Sequence, residues 1–222
     1  MLWTRGGAAA VGLAVAAGVL APAAGSAQLE IGPRVGAYAP VGSLIKEGSI
    51  GSPGGLFEKR PEAALFIGGQ VVFRATRRLG VAASVTFAPS AVAVTDSFGT
   101  SDHSGSALVA DARFIVPITS LKSLSSLYFG AGAAVVKRVG SEWRYYSGAA
   151  SPALVASLGV RTPLYGLRVE RRPPYPPPRV VMRLEVADYI SRAQFDKGRP
   201  TETTARMHQD IIVAFGISVI RR

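Results

Sequence analysis

Few residues in this chain have the type and spacing that chemistry requires, and they limit the reactions worth considering. There are two histidines, His103 and His208, and no cysteine. His103 sits in the run SDHSGS, so a Ser104 or Ser106 hydroxyl activated by its imidazole is the one nucleophilic arrangement on offer. Adjacent residues on a strand point apart, and no orienting third group is evident beside them. The run therefore reads as a polar loop tip, and no catalytic residue is assigned. Two histidines so far apart, with no carboxylate cluster nearby, give no metal site. Neither a GxGxxG fingerprint nor a P-loop is present, so nucleotide binding has no support. Without cysteine, disulfides and thiol chemistry are excluded. The expectation is a protein that is not an enzyme and carries no cofactor or metal.

What remains is a set of arginines and carboxylates at alternating positions. In VVMRLEVADYIS (180–191), Val180, Met182, Leu184, Val186 and Ile190 fall on one side of an extended strand, and Arg183, Glu185, Tyr189 and Ser191 on the other. The same alternation recurs in segments near 29–41, 64–76, 79–88, 106–118, 127–135, 152–161 and 209–220, which makes eight strands. Polar stretches at 42–61, 95–105, 140–148 and 193–208 read as loops, and short turns follow the second and fourth strands. Residues 162–179 end in RRPPYPPPR, whose prolines suit a connection and not a central strand.

Residues 1–27 carry Arg5, a small and apolar run over 8–20, and Gly25 and Ala27 at the −3 and −1 positions of a cleavage site, the pattern of a removable signal peptide. Residues 28–222 then form one all-β domain. No other stretch is continuously apolar for long enough to cross a membrane as a helix, so an embedded chain must be embedded as strands. Sorting charge by strand face separates a membrane barrel from a soluble one. One face carries Glu30, Arg34, Arg74, Asp111, Arg113, Arg161, Arg183, Glu185 and Asp210, five positive and four negative charges, while the centre of the opposite face has none. In lipid an outward basic side chain at mid-depth costs about 2–4 kcal/mol, which accounts for a charge-free outer band. Eight strands close around an interior just wide enough for side chains to fill. The expected architecture is an eight-stranded antiparallel up-and-down transmembrane β-barrel with an ion-paired interior.

The signal peptide, the strand count, the RLEVADY segment and the closing IIVAFGISVI together resemble the small eight-stranded outer-membrane β-barrel family of OmpA, OmpX and OmpW-like proteins. The resemblance implies a cell outer membrane, both termini in the periplasm, longer loops outside, and outer-membrane lipids and the barrel-assembly machinery as partners. Family members usually end on an aromatic residue, whereas this chain ends on Arg221 and Arg222. On that orientation Arg77, Arg78, Arg171, Arg172, Arg179, Arg221 and Arg222, with Lys122 and Arg168, face the periplasm against Glu170, a net charge of +8. This basic rim is expected to meet anionic headgroups. Trp143, Tyr145 and Tyr146 are expected in the aromatic girdle at the lipid interface. The net charge of +11 belongs with lipid headgroups, since an exported protein does not meet nucleic acid. A monomer with a structural or surface-interaction role is expected. The alternatives are a narrow passive channel for small or hydrophobic solutes and a soluble, secreted, lipocalin-like binding barrel.

Overall fold

The computed structural model describes residues 28–43, 45–47, 57–76, 78–96, 98–119, 125–140, 143, 150–164, 179–193 and 206–221. The signal-peptide segment and most of the 162–179 connection lie outside these residues. The strands are β1 (Gln28–Val41), β2 (Ile45–Glu47), β3 (Phe57–Pro61), β4 (Ala64–Arg74), β5 (Gly80–Asp96), β6 (Gly99–Pro117), β7 (Ser126–Val139), β8 (Ala150–Leu164), β9 (Arg179–Ala193) and β10 (Arg206–Arg221).

Eight of them close a ring in the order β5-β4-β1-β10-β9-β8-β7-β6, with β6 pairing back to β5. All pairings are antiparallel. Closure leaves the ring without a free edge, which suits a sheet whose backbone amides cannot reach water. The pleat sorts the side chains. Leu65 (79% exposed), Ile67, Phe114, Leu154, Leu184 and Val213 point outward, while Arg34 (1%), Arg113, Glu30 and Asp210 are buried inside. Apolar residues are therefore outside and ions inside, the reverse of a soluble barrel. Among the described residues no helix is long and apolar enough to cross a membrane.

Three loop assignments change. The 42–61 stretch, expected as a loop, contains β2 and β3, and β3 pairs with β5 from Pro61↔Val92 to Glu58↔Thr95. The 95–105 stretch, also expected as a loop, is strand almost throughout. β5 runs on to Asp96 and β6 begins at Gly99, pairing from Asp96↔Gly99 onward. At the turn, Phe98 N–H donates to Asp96 Oδ1 at 2.8 Å and Gly99 takes a φ of 140°. A short Asx turn and one glycine thus replace the loop that Ser, Thr and Gly content implied. β10 starts at Arg206, within the stretch 193–208 that was expected as loop.

Candidate functional site

All nine side chains assigned to the interior face point inward, and their partners fall into three groups. Glu30, Arg34 and Tyr38 share the inner face of β1 at intervals of four residues, so the groups follow one another at spacings of about 13 Å measured along that strand.

At the Glu30 end, where β1 begins beside the end of β10, one carboxylate holds three guanidinium groups. Arg74 Nε donates to Glu30 Oε1 at 3.2 Å, Arg161 reaches the same oxygen at 3.0 Å, and Arg183 donates to Oε2. In the central group, Arg113 donates to Asp111 at 2.8 Å and to Glu185 at 2.7 Å, and Arg34 approaches Glu185 at 3.7 Å. Neutral hydroxyls complete it. Ser84 accepts from Arg34 at 2.7 Å and donates to Asp111 at 2.5 Å, Tyr189 donates to Asp111 at 2.8 Å, and Tyr128 donates to Glu185 at 2.9 Å. The Tyr128 ring lies against Gly159, where any side chain would meet its phenol. At the opposite end Asp210 accepts from Tyr38 at 2.6 Å and from Arg138 at 3.0 Å, with His208 Nε2 at 3.2 Å. Between the central and Asp210 groups lies an apolar layer that includes Phe66, Val109, Val136, Val155 and Ile212.

Arg138 and His208 belong to this interior although the sequence reading left them out. Arg138 shares the parity of Tyr128, Gly130, Gly132 and Ala134 on β7, a signal readable only if that strand runs past Val135. His208 shares the parity of Asp210 on β10. Both strands proved longer than their most regular stretch.

Trp143 is a correction. Expected in a lipid-facing girdle, it is 3% exposed and lines a small pocket with Tyr38, Pro61, Val92, Gly105, Ala107 and Arg138. The β5–β6 hairpin rises past the ring and gives the indole a wall to pack on, and Gly105 leaves room for it: a Cβ there would stand 3.2 Å from the indole nitrogen. Tyr145 and Tyr146 lie outside the described residues, as do Arg77, Arg171, Arg172 and Arg222. Arg179 opens β9 opposite Ile220. Arg78 and Arg221 are exposed at the Glu30 end. His103 is on the protruding part of β6, with its Nε2 3.1 Å from Ser101 Oγ; Ser104 and Ser106 belong to the other face of that strand.

No protein-family model matches the sequence, and no curated protein does. Solved structures do resemble the fold. The outer membrane protein OprG from Pseudomonas aeruginosa is 12% identical, with a TM-score of 0.59 over 89% of this chain and 97% of OprG. The outer membrane protein AlkL, determined in DMPC lipid bilayers, is 14% identical, with a TM-score of 0.52 over 91% of this chain and 94% of AlkL. The fold is that of the small eight-stranded outer-membrane β-barrels, closed here around a charged interior and sheathed in apolar side chains.

Proposed function

We propose that this chain is an integral protein of the outer membrane, monomeric and not an enzyme, whose interior is filled by ion pairs and which serves envelope integrity or surface interaction. The observation that carries this reading is the inversion of polarity: Arg34, Arg113 and Glu185 are buried, while Leu65, Phe114 and Leu184 face outward. An exposed apolar band around a whole ring is unstable in water and at home in lipid. The Glu30 end faces the periplasm, as the resemblance implies, so exposed Arg78 and Arg221 stand where inner-leaflet headgroups lie. The β5–β6 hairpin, extended by β3, then projects outside the cell as the surface-presenting element.

Membrane fractionation with gel migration before and after boiling tests the embedding. The folded protein should need detergent for extraction and should change mobility on heating; release by salt or buffer alone would favour the secreted binding barrel. Planar-bilayer recording tests the filled interior, and discrete, sizeable conductance steps would contradict it. Retained activity of a His103→Ala variant would rule out a role for that histidine in any hydrolysis detected.

A narrow passive path is the second reading, favoured by an irregularity in the wall. Regular pairing between β4 and β5 ends at Ile67↔Phe87 and resumes between β3 and β5 at Pro61↔Val92, beside the pocket lined by Trp143. Between them the strands are held by Glu62 N–H donating to the Ala91 carbonyl at 2.9 Å and by Ser90 Oγ donating to the Glu62 carbonyl at 2.6 Å.

A further inference from the structure

We propose that the Glu30 end of the interior is an oxyanion site, in which Arg74, Arg161 and Arg183 bind a phosphate group. The three interior groups differ in their charge balance. The central group sets Arg34 and Arg113 against Asp111 and Glu185 and is neutral. The Asp210 group sets Arg138 against Asp210. At the Glu30 end, three guanidinium groups share Glu30 as their one carboxylate partner among the described residues, leaving an excess of two positive charges.

Excess charge of one sign is costly inside a barrel walled from water, and it calls for an anion. Arg74 Nη2 and Arg183 Nε are buried without a hydrogen-bond partner, as are Arg34 Nε and Nη2 in the neutral central group. At the Glu30 end the unpartnered donors coincide with the excess charge, and both oxygens of Glu30 are already engaged. The side chains carrying those donors are more than nine-tenths buried, at 8% and 3% exposure, and Arg183 is held in place over the Tyr128 ring at 5.3 Å. Entry is possible from one side, because the Arg161 side chain is 14% accessible. Planar guanidinium forks match the oxygens of a phosphate, and a dianion would neutralise the excess. Inorganic phosphate and the headgroup of a phosphatidic-acid-type lipid share that chemistry.

Full-length barrel refolded in a zwitterionic detergent, with folding checked by heat-modifiable migration, would be titrated calorimetrically with inorganic phosphate and melted in phosphate or chloride at equal ionic strength. Saturable heat and a higher melting temperature in phosphate are expected; no heat and equal melting temperatures would overturn the site. Arg161→Gln, at the accessible edge, should weaken phosphate binding by about tenfold, the value of one charge-assisted hydrogen-bonding group. Unchanged affinity in that variant would also overturn it. Arg161→Lys keeps the charge and loses the fork; it should bind with an intermediate affinity and serves if the glutamine variant does not fold. Glu30→Gln, which removes the competing carboxylate, should bind phosphate more tightly, and weaker binding in that variant would count against the site. Competition by short-chain phosphatidic acid would identify a lipid headgroup as the source, and binding of inorganic phosphate alone would identify the free ion.

Discussion

In the half of the β5–β6 hairpin that belongs to the ring, Val85 is 52% exposed and Phe87 also faces out, while Ser84 and Thr86 are buried. In the half that rises beyond it, Val92 (1% exposed) and Val94 are buried, and Asp102 of the facing strand, opposite Ala93 on the other face, is exposed. The pleat continues without a change of parity, for Ser84, Thr86, Val92 and Val94 all occupy the same face of β5. What changes is the solvent. Around the ring the outer medium is apolar, so apolar side chains face it and polar ones are enclosed. Above the ring the outer medium is water, so Val92 turns inward to Trp143, while the outward face of the same strands carries exposed Arg60 and Asp102 on either side of Ala93. One hairpin can serve two solvents because period-2 alternation specifies two faces without specifying which face is wet.

Substitutions at equivalent places in the two halves test this comparison. The largest effect is expected inside the ring: Glu30→Ala strips three buried arginines of their acceptor and should cost about 3–5 kcal/mol, whereas Asp102→Ala on the exposed hairpin should stay within about 0.5 kcal/mol. Urea unfolding in lipid vesicles measures both, and equal costs would break the distinction. Next, an arginine on the outward face should discriminate by height. Val85→Arg meets lipid and should cost about 2–4 kcal/mol, while Ala93→Arg, on the same face of β5 but above the ring, should cost about 0.5 kcal/mol or less. Ser84→Ala leaves Arg34 and Asp111 short of a shared partner and should cost about 1–3 kcal/mol, with Ser101→Ala near zero by the same assay. The gentlest probe perturbs nothing: Trp143 fluorescence should resist quenching by lipids brominated in their acyl chains, and strong quenching would return the indole to the lipid interface.

Much of the ring was legible from residue order. Five arginines and four carboxylates at alternate positions fixed which face of each strand was shared, and the same face is enclosed in the structure for all nine. The protruding hairpin was not legible. Its sequence, TDSFGTSDHSG, is rich in residues that favour turns, and only pairing between β5 and β6 from Ser90↔Gly105 to Asp96↔Gly99 makes it a ladder. Trp143 was misplaced for the same reason, since its wall exists only once that ladder forms. Arg138 and His208 are not legible from alternation, which weakens before the strand ends, whereas backbone pairing carries β7 and β10 further.

Sequence alone therefore determined that this chain makes amphipathic strands with ions confined to one face, because side-chain direction along a strand is a local property of the backbone. Which arginine meets which acid was decided by register around the closed ring: Glu30 takes partners from β4, β8 and β9, far apart in the chain, and no local rule chooses among them. The excess of positive charge at that end, and the neutrality of the group above it, are likewise properties of closure and belong to no single strand.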